Sequence, residues 1–526
     1  MKRGVAVLAI ISILLLFGAC GTTEQPPVVN DSAEAVTNIA LKDDGVSVDG
    51  VAVGNDTANA VYVANDIVYY ESGKDFTYGE GTEKDAHSAE AAAAHTVVHI
   101  GQPGTYRLSG KLSRGQIAVD LGEDAKKDPN AVVTLILNGV DITCEVAPAV
   151  IFYNVYECGD DDADKASKDV DTTAAGAKVV IADGATNTVN GSYVARIYKP
   201  DSVELSEDGT AVEDAKKLHK YDGAFYSRMS MVIDGGEQGN GVLNIHAENE
   251  GLDSEMHLTV NGGNITIQSG NDGINTNEDG VSVTTINGGT LTIEITGETG
   301  EGDGIDSNGW LVINGGHVMA SACSFSADAG IDSDNGIHIN GGTVLAAGSM
   351  LDRIENGGQT YAVFNFSEKQ TAGETVQLKS ADGKAVMEWM PPNDYSVLVF
   401  SSPDLKAGTY TLWSGEHQLA GQSGGAMGGP GKPQMKPDGE LVGMPEGEPP
   451  ALPDGQRPQG RPEMPDGMQP PEGMQPPEEM PFPERPNGQE RPNGGNGTAV
   501  SRSTDFVMVD GGNIFGGVSV WETEQA

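Results

Sequence analysis

Four phrases in the middle of the chain hold the side chains best suited to chemistry: Gly251-Leu-Asp-Ser-Glu255, Gly273-Ile-Asn-Thr-Asn277, Gly304-Ile-Asp-Ser-Asn308 and Gly330-Ile-Asp-Ser-Asp334. On an extended strand, alternate residues face opposite ways. If the apolar residue and the Ser/Thr face inward, Asp253, Asn275, Asp306 and Asp332 form one outward column. Glu255, Asn277, Asn308 and Asp334 form the next. A third column, three residues before the first, holds Glu250, Asp272 and Asp303 and ends at Ala329. Oxygen-rich columns of this kind suit a hard divalent cation, because Ca2+ takes about 6–8 oxygen ligands.

Electrostatics gives the same answer. Carboxylates on strands ~4.8 Å apart repel by ~0.9 kcal/mol in bulk water and ~3.5 kcal/mol at an effective dielectric of 20. Between Arg228 and Arg353 there is no Lys or Arg against 18 Asp and Glu, so nearby protein cations are not expected to neutralise them. Ca2+ bound by these eleven side chains is the expectation. The competing reading is a solvated acidic edge, diluted by Asn and screened by salt.

The elements that must position these columns follow from a second repeat. Asn/Asp-Gly-Gly turns begin at Asp234, Asn261, Asn287, Asn314 and Asn340, in steps of 27, 26, 27 and 26 residues. Alternating apolar residues precede the turns (Met231/Ile233, Leu258/Val260, Leu311/Ile313, Ile337/Ile339) and follow them (Ile265/Ile267, Leu291/Ile293, Val318, Val344). A fixed period in the twenties, strands of period two and glycine corners predict an all-β solenoid of single-stranded coils, a parallel β-helix. No helical pattern intervenes, which excludes leucine-rich repeats, and no nine-residue period is present, which excludes the calcium-binding nonapeptide roll.

These phrases, together with Asp222-Gly-Ala-Phe-Tyr-Ser, Gly104-Thr-Tyr-Arg-Leu-Ser-Gly, Leu135-Ile-Leu-Asn-Gly-Val-Asp-Ile-Thr and Ala407-Gly-Thr-Tyr-Thr-Leu, give the chain its likeness. It resembles secreted bacterial carbohydrate-binding β-helix proteins, related in shape to pectate lyases, over roughly residues 95–415. The resemblance implies a right-handed parallel β-helix, calcium in the coil turns, and binding of plant polysaccharides such as cellulose and pectin-type polyuronates.

A β-eliminating lyase needs a Lys or Arg base near a metal-bound uronate, and only Arg228 and Arg353 flank the acidic coils. A hydrolase needs a carboxylate pair, which Asp303 and Asp306 superficially supply, but Gly-His-Gly and Arg-Ile-Lys segments are missing. Binding without catalysis is therefore the expectation, with a calcium-dependent lyase or a polygalacturonase-like hydrolase as runner-up. A structural adhesin rod is the third class. Sugar contacts need aromatic platforms and hydrogen-bonding cations, and Tyr226, Arg228 and Trp310 are the candidates. Trp389 and Trp413 are expected in the core of a cap over the last coil.

Formal charge is −46, with Lys+Arg 31 against Asp+Glu 77. That excludes nucleic acid, which requires clustered cations. Lys2 and Arg3, the apolar run Val5 to Phe17 and Gly18-Ala19-Cys20 read as a lipoprotein signal over residues 1–19, with Cys20 lipidated. An extracytoplasmic, lipid-anchored monomer is expected. Cys144 and Cys158 are either a disulfide or two thiols, and Cys323 a buried apolar residue. Expected regions are a tether at 20–40, an N-terminal cap at 41–94, the β-helix at 95–352 and a C-terminal β cap at 353–420. A disordered segment at 421–500, holding 18 of the 27 prolines, and a terminal strand at 501–526 complete the chain. Two acidic inserts, Glu157 to Lys178 and Lys199 to Lys217, read as solvated loops.

Overall fold

The computed structural model describes residues 35–423 and 502–521. The expected signal peptide, Cys20, most of the tether and nearly all of the Pro/Met-rich segment lie outside them. The described chain is nearly all β, with one short α-helix, Ala89–Ala93, capped by Ser88. Among the described residues no helix is long and apolar enough to cross a membrane.

The central repeats add strands to three ladders, the last of them only to the first two. The first contains Met231–Asp234, Leu258–Val260, Val283–Ile286, Trp310–Ile313 and Gly336–Ile339, all paired in parallel. The second contains Val242–Ala247, Asn264–Ser269, Thr290–Ile295, His317–Ser321 and Thr343–Gly348, also parallel. Like positions stack in register: Ile265 on Leu291 on Val318 on Val344. These side chains are buried in one continuous apolar core. Each contributes about 1.5–3 kcal/mol by leaving water.

The Asn/Asp-Gly-Gly corners join the first two ladders. Their second glycines, such as Gly263, Gly289 and Gly316, hold φ of +95°, +85° and +82°, where a side chain is strained. The corner amides form a ladder of their own. Asn261 donates to Asp234, Asn287 to Asn261, Asn314 to Asn287 and Asn340 to Asn314, at 2.8–2.9 Å.

The third ladder carries the acidic phrases. It runs Val150–Asn154, Gly223–Ser227, Glu250–Ser254, Ile274–Thr276 and Ile305–Ser307 within an eight-stranded sheet.

At the far end, Thr343–Gly348 pairs antiparallel with Tyr395–Ser401. There a separate apolar cluster forms, including Phe364, Phe400, Phe506 and Phe515. Trp389 packs partly buried against that cluster. Trp413, expected in the cap core, is instead half-buried, with the Lys379 ammonium 4.5 Å from its ring centroid.

Three further expectations change. Residues Val36–Leu41, read as the end of a tether, form a strand paired in parallel with Gly104–Leu112. The first acidic insert packs against the first ladder: Glu157 accepts from the Ser230 amide and hydroxyl, and Thr172 donates to Thr259 in a buried contact. The second insert ends in the strand Lys217–Tyr221, paired antiparallel with Val194–Tyr198. Cys144, Cys158 and Cys323 are all free thiols, and Cys144 and Cys323 are buried.

Candidate functional site

The alternation read from the sequence holds along the third ladder. Phe225, Leu252, Ile274 and Ile305 stack in register, as do Ser227, Ser254, Thr276 and Ser307. Between them Asp253, Asn275 and Asp306 form three members of the predicted column, with Tyr226 in register on the preceding rung. Facing away from the apolar core does not bring these side chains to solvent, however. Asp253 is 0% and Tyr226 1% exposed, and Glu250, Asp272, Asn275 and Asp332 are also buried.

Burial concentrates the carboxylates into two groups. Asp222, Glu250 and Asp253 each place one oxygen within 4.8 Å of the others, and Asp303, Asp306 and Asp332 do the same. In and beside the first group, Glu250 Oε2, Asp253 Oδ2 and Asn275 Oδ1 are buried with no hydrogen-bond partner. Orphaned buried acceptors are costly. Buried acceptors without donors, two of them on carboxylates that place an oxygen within 4.8 Å of each other, fit a hard cation, whose oxygen ligands they would supply. The remaining oxygens are held by amides: Asn275 Nδ2 donates to Glu250 Oε1 at 3.1 Å and Asn277 Nδ2 to Asp253 Oδ1 at 2.6 Å.

The electrostatics agree. Burial first, then the neighbouring carboxylates, push Glu250 and Asp253 well above the ordinary carboxylate range. Burial and then Asp306 raise Asp272 to about 8, against the Asp303 amide that donates to it at 2.7 Å. Burial, then Asp332, push Asp303 up likewise.

The eleven predicted ligands therefore divide. Glu250 and Asp253 enter the first cage, and Asp303, Asp306 and Asp332 the second. Asn275 lies between them in register, and Asp272 holds the Asp303 backbone. Of the remaining carboxylates, Glu255 and Asp334 are in neither group, and Asn277 donates to Asp253 in the first. Asn308 donates to the Asn277 carbonyl at 2.9 Å, and Asp334 is exposed. Asp222 joins the first group although it was not among the eleven predicted residues. Its signal was the acid-Gly pair it shares with Glu250-Gly251, Asp272-Gly273 and Asp303-Gly304, displaced by one residue in register.

The expectation that no protein cation reaches the acids is corrected. Lys220 Nζ lies 2.5 Å from Asp222 Oδ2, and Lys217 Nζ lies 3.0 Å from Glu255 Oε1. Both come from the strand Lys217–Tyr221 at the end of the second insert, 30 or more residues before the third column's Glu250 in sequence. Burial opposes the Lys220 charge, yet Asp222, Glu250 and Asp253 outweigh it and keep the ammonium protonated.

That same strand, Lys217–Tyr221, forms one wall of a cleft of ≈ 1480 Å³. Tyr226 and Glu255, which contact that strand, line it too, together with Arg228, Tyr153, Asn154, Asp120, Lys126 and Lys127. Six of its lining residues are Lys or Arg and eight are Asp or Glu, so the cleft interleaves charges of both signs. Its aromatic wall is a cluster: Tyr221 meets Tyr226 at 5.1 Å, Tyr153 at 5.5 Å and His219 at 5.6 Å between ring centroids.

Two of the three predicted sugar contacts, Tyr226 and Arg228, line this cleft; Trp310 does not. Trp310 sits half-buried in the first ladder, in register with Val283 and Gly336. Tyr226 is too deeply buried to stack on a ligand, and its hydroxyl donates to Glu255 Oε1 at 2.6 Å. The half-buried His219 and Tyr156 are better placed. Sequence reasoning missed His219 and Tyr221 because it read their segment as the margin of a solvated loop.

The sequence profile of a family described as carbohydrate-binding domain-containing protein matches residues 94–384. The chain belongs to that family. A family relative with the same description, from Acetivibrio thermocellus, is 28% identical over 174 residues, covering 33% of this chain and 45% of its own. The chain thus spans less than half the length of that curated relative. One solved chain, described as a polysaccharide lyase-like protein from C. thermocellum in a gadolinium derivative, aligns over 59% of this chain and 90% of its own. Its identity is 20% and its TM-score 0.32. The matched family region includes most of the cleft lining, both acid groups and the second insert.

Proposed function

We propose that this protein binds polysaccharide in the cleft between Arg228 and the strand Lys217–Tyr221, without cleaving it, and holds Ca2+ in the acid cage beside it. The observation that carries the reading is the adjacency of two built sites. A cleft lined by charges of both signs and by aromatic edges meets, through Lys220, a cage whose Glu250 Oε2 and Asp253 Oδ2 lack donors. Family membership supports the carbohydrate partner. Cellulose and pectin-type polyuronate are the proposed classes. Lys126, Lys127 and Arg228 suit a uronate carboxylate, while His219 and Tyr156 suit the apolar face of a neutral sugar.

Within this reading the three parallel ladders are the sides of a right-handed β-helix spanning 95–352, capped at 41–94 and 353–420. Cys20 is its lipid-bearing residue, and the chain works outside the cytoplasm as a monomer. Glu250, Asp253 and the newly placed Asp222 would hold one Ca2+, and Asp303, Asp306 and Asp332 a second. The ion's chemistry there is charge neutralisation and, beside the cleft, a bridge to an anionic sugar.

A specific observation keeps a lyase as the second reading: Lys217 and Lys220, not only Arg228, line the cleft next to the cage. A glycan array on the full chain, with and without Ca2+, separates the two. Calcium-dependent retention without product supports binding, and unsaturated product absorbing in the ultraviolet supports a lyase. Absence of retention on every glycan overturns both and leaves a structural rod.

A further inference from the structure

Lys220 occupies an unusual position: a partly exposed ammonium tucked against the most buried cluster of carboxylates in the third ladder. Its Nζ is 2.5 Å from Asp222 Oδ2, and Asp222 shares a cage with Glu250 and Asp253. One ammonium cannot offset three carboxylates, which is why two cage oxygens remain without partners. A divalent cation drawn into that cage would meet Lys220 at ion-pair distance, where like charges in a medium of low dielectric repel strongly.

The strand that carries Lys220 is anchored in the apolar core at Tyr221 and exposed at Lys217 and Leu218. Lys217–Tyr221 pairs only with Val194–Tyr198 and with register shifts at both steps. Its other anchors are the Lys220–Asp222 and Lys217–Glu255 ion pairs and the contacts of the Tyr221 ring. That strand is also the cleft wall.

We propose that Lys220 is a resident counter-ion of the acid cage, displaced when a divalent cation enters, and that this exchange frees the Lys217–Tyr221 wall of the cleft. The inference rests on the cation reading above and adds how the cage governs the cleft. In the metal-free protein Lys220 latches the wall to Asp222. With the cage filled, Asp222 turns to the cation and the Lys220 ammonium becomes available to an anionic group in the cleft. Cage and cleft are then coupled through one side chain, and by linkage an acidic ligand held by Lys220 would in turn tighten cation binding.

The test is calorimetric titration of the full chain with CaCl2 alone, with hydrogen exchange followed over residues 216–221. Lys220→Met should bind Ca2+ at least about tenfold tighter than the unchanged protein, since a competing cation is gone. Lys220→Arg should stay near the unchanged protein. Lys217→Met, whose partner Glu255 is outside the cage, should change affinity by less than about threefold. In the unchanged protein Ca2+ should speed exchange over 216–221, and in Lys220→Met it should not. Equal affinity in Lys220→Met and the unchanged protein, or slower exchange over 216–221 on adding Ca2+, would overturn the exchange and leave the cation reading standing. Absence of binding heat in every form would overturn both.

Discussion

The Tyr226 hydroxyl donates to Glu255 Oε1 at 2.6 Å, reaching from one rung of the acidic ladder to the end of the next. Lys217 Nζ approaches the same oxygen at 3.0 Å. Burial and the Glu255 charge both raise the phenol well above its ordinary range, so it stays a donor throughout the working pH range. Tyr226→Phe should therefore cost about 1–3 kcal/mol, the range for a buried hydrogen bond to a charged acceptor. Chemical denaturation checks the value. Glycan retention should survive, because the ring is buried.

Arg228 has the opposite profile. Its side chain is 44% exposed, and its ion pair with Glu123 is long, at 3.8 Å. Arg228→Ala should leave the melting temperature within about 1–2 °C, as for other exposed pairs. It should weaken glycan retention severalfold, measured on the same polysaccharide column as the unchanged protein.

Stability of the metal-free protein should depend on pH in the direction opposite to most acidic proteins. Glu250, Asp253, Asp272 and Asp303 all titrate higher folded than unfolded, Asp272 at about 8. A carboxyl raised in this way favours the folded state while both states are protonated, and that advantage is lost as pH rises through the folded value. Melting in a chelator should therefore fall as pH climbs from about 4 to about 8. In millimolar Ca2+ the fall should be flattened, because the bound ion favours the ionised carboxylates.

The corner ladder offers a test of the repeat itself. Asn287 both donates to Asn261 and accepts from Asn314. Asn287→Ala should cost about 1 kcal/mol, the net worth of exposed amide bonds. Gly289→Ala should cost more, about 1–3 kcal/mol, because φ is +85° and the new Cβ would meet Gly263 O at 2.6 Å. Denaturation of the two variants in parallel compares them.

Gly421 and Ser503 exchange both backbone hydrogen bonds, at 3.0 and 2.9 Å, so the described chain closes on itself across residues 424–501. Replacing those residues by a short glycine linker should shift melting by no more than about 2 °C, since loop-closure entropy changes slowly with length.

The repeat was legible because its signals are local. The Asn/Asp-Gly-Gly corners and period-two apolar residues placed Ile265, Leu291, Val318 and Val344 in one column, and their register is the observed one. Tyr226 over Asp253 was equally readable, since both follow from counting two residues along a strand. What sequence could not give was the covering of that column. Lys217, Lys220 and Tyr221 reach it by tertiary folding of a segment whose charge density argued for solvent. Asp253 therefore looked exposed and is fully buried, and Asp222 looked like part of a strand phrase and is a cage member. Trp310 lies away from the cleft for a different reason. Alternation gives the face of a strand, not which face borders the cleft.

The account turns on a buried carboxylate cage that needs a divalent cation and sits beside a glycan cleft. Its most direct test is retention of the full chain on immobilised polygalacturonate and on cellulose, in millimolar Ca2+ and in chelator, for the unchanged protein and for Glu250→Gln with Asp253→Asn. Retention on at least one glycan that requires Ca2+ and is lost in the double variant is the predicted result. Equal retention in Ca2+ and chelator, or none on either glycan with Ca2+ present, would contradict it.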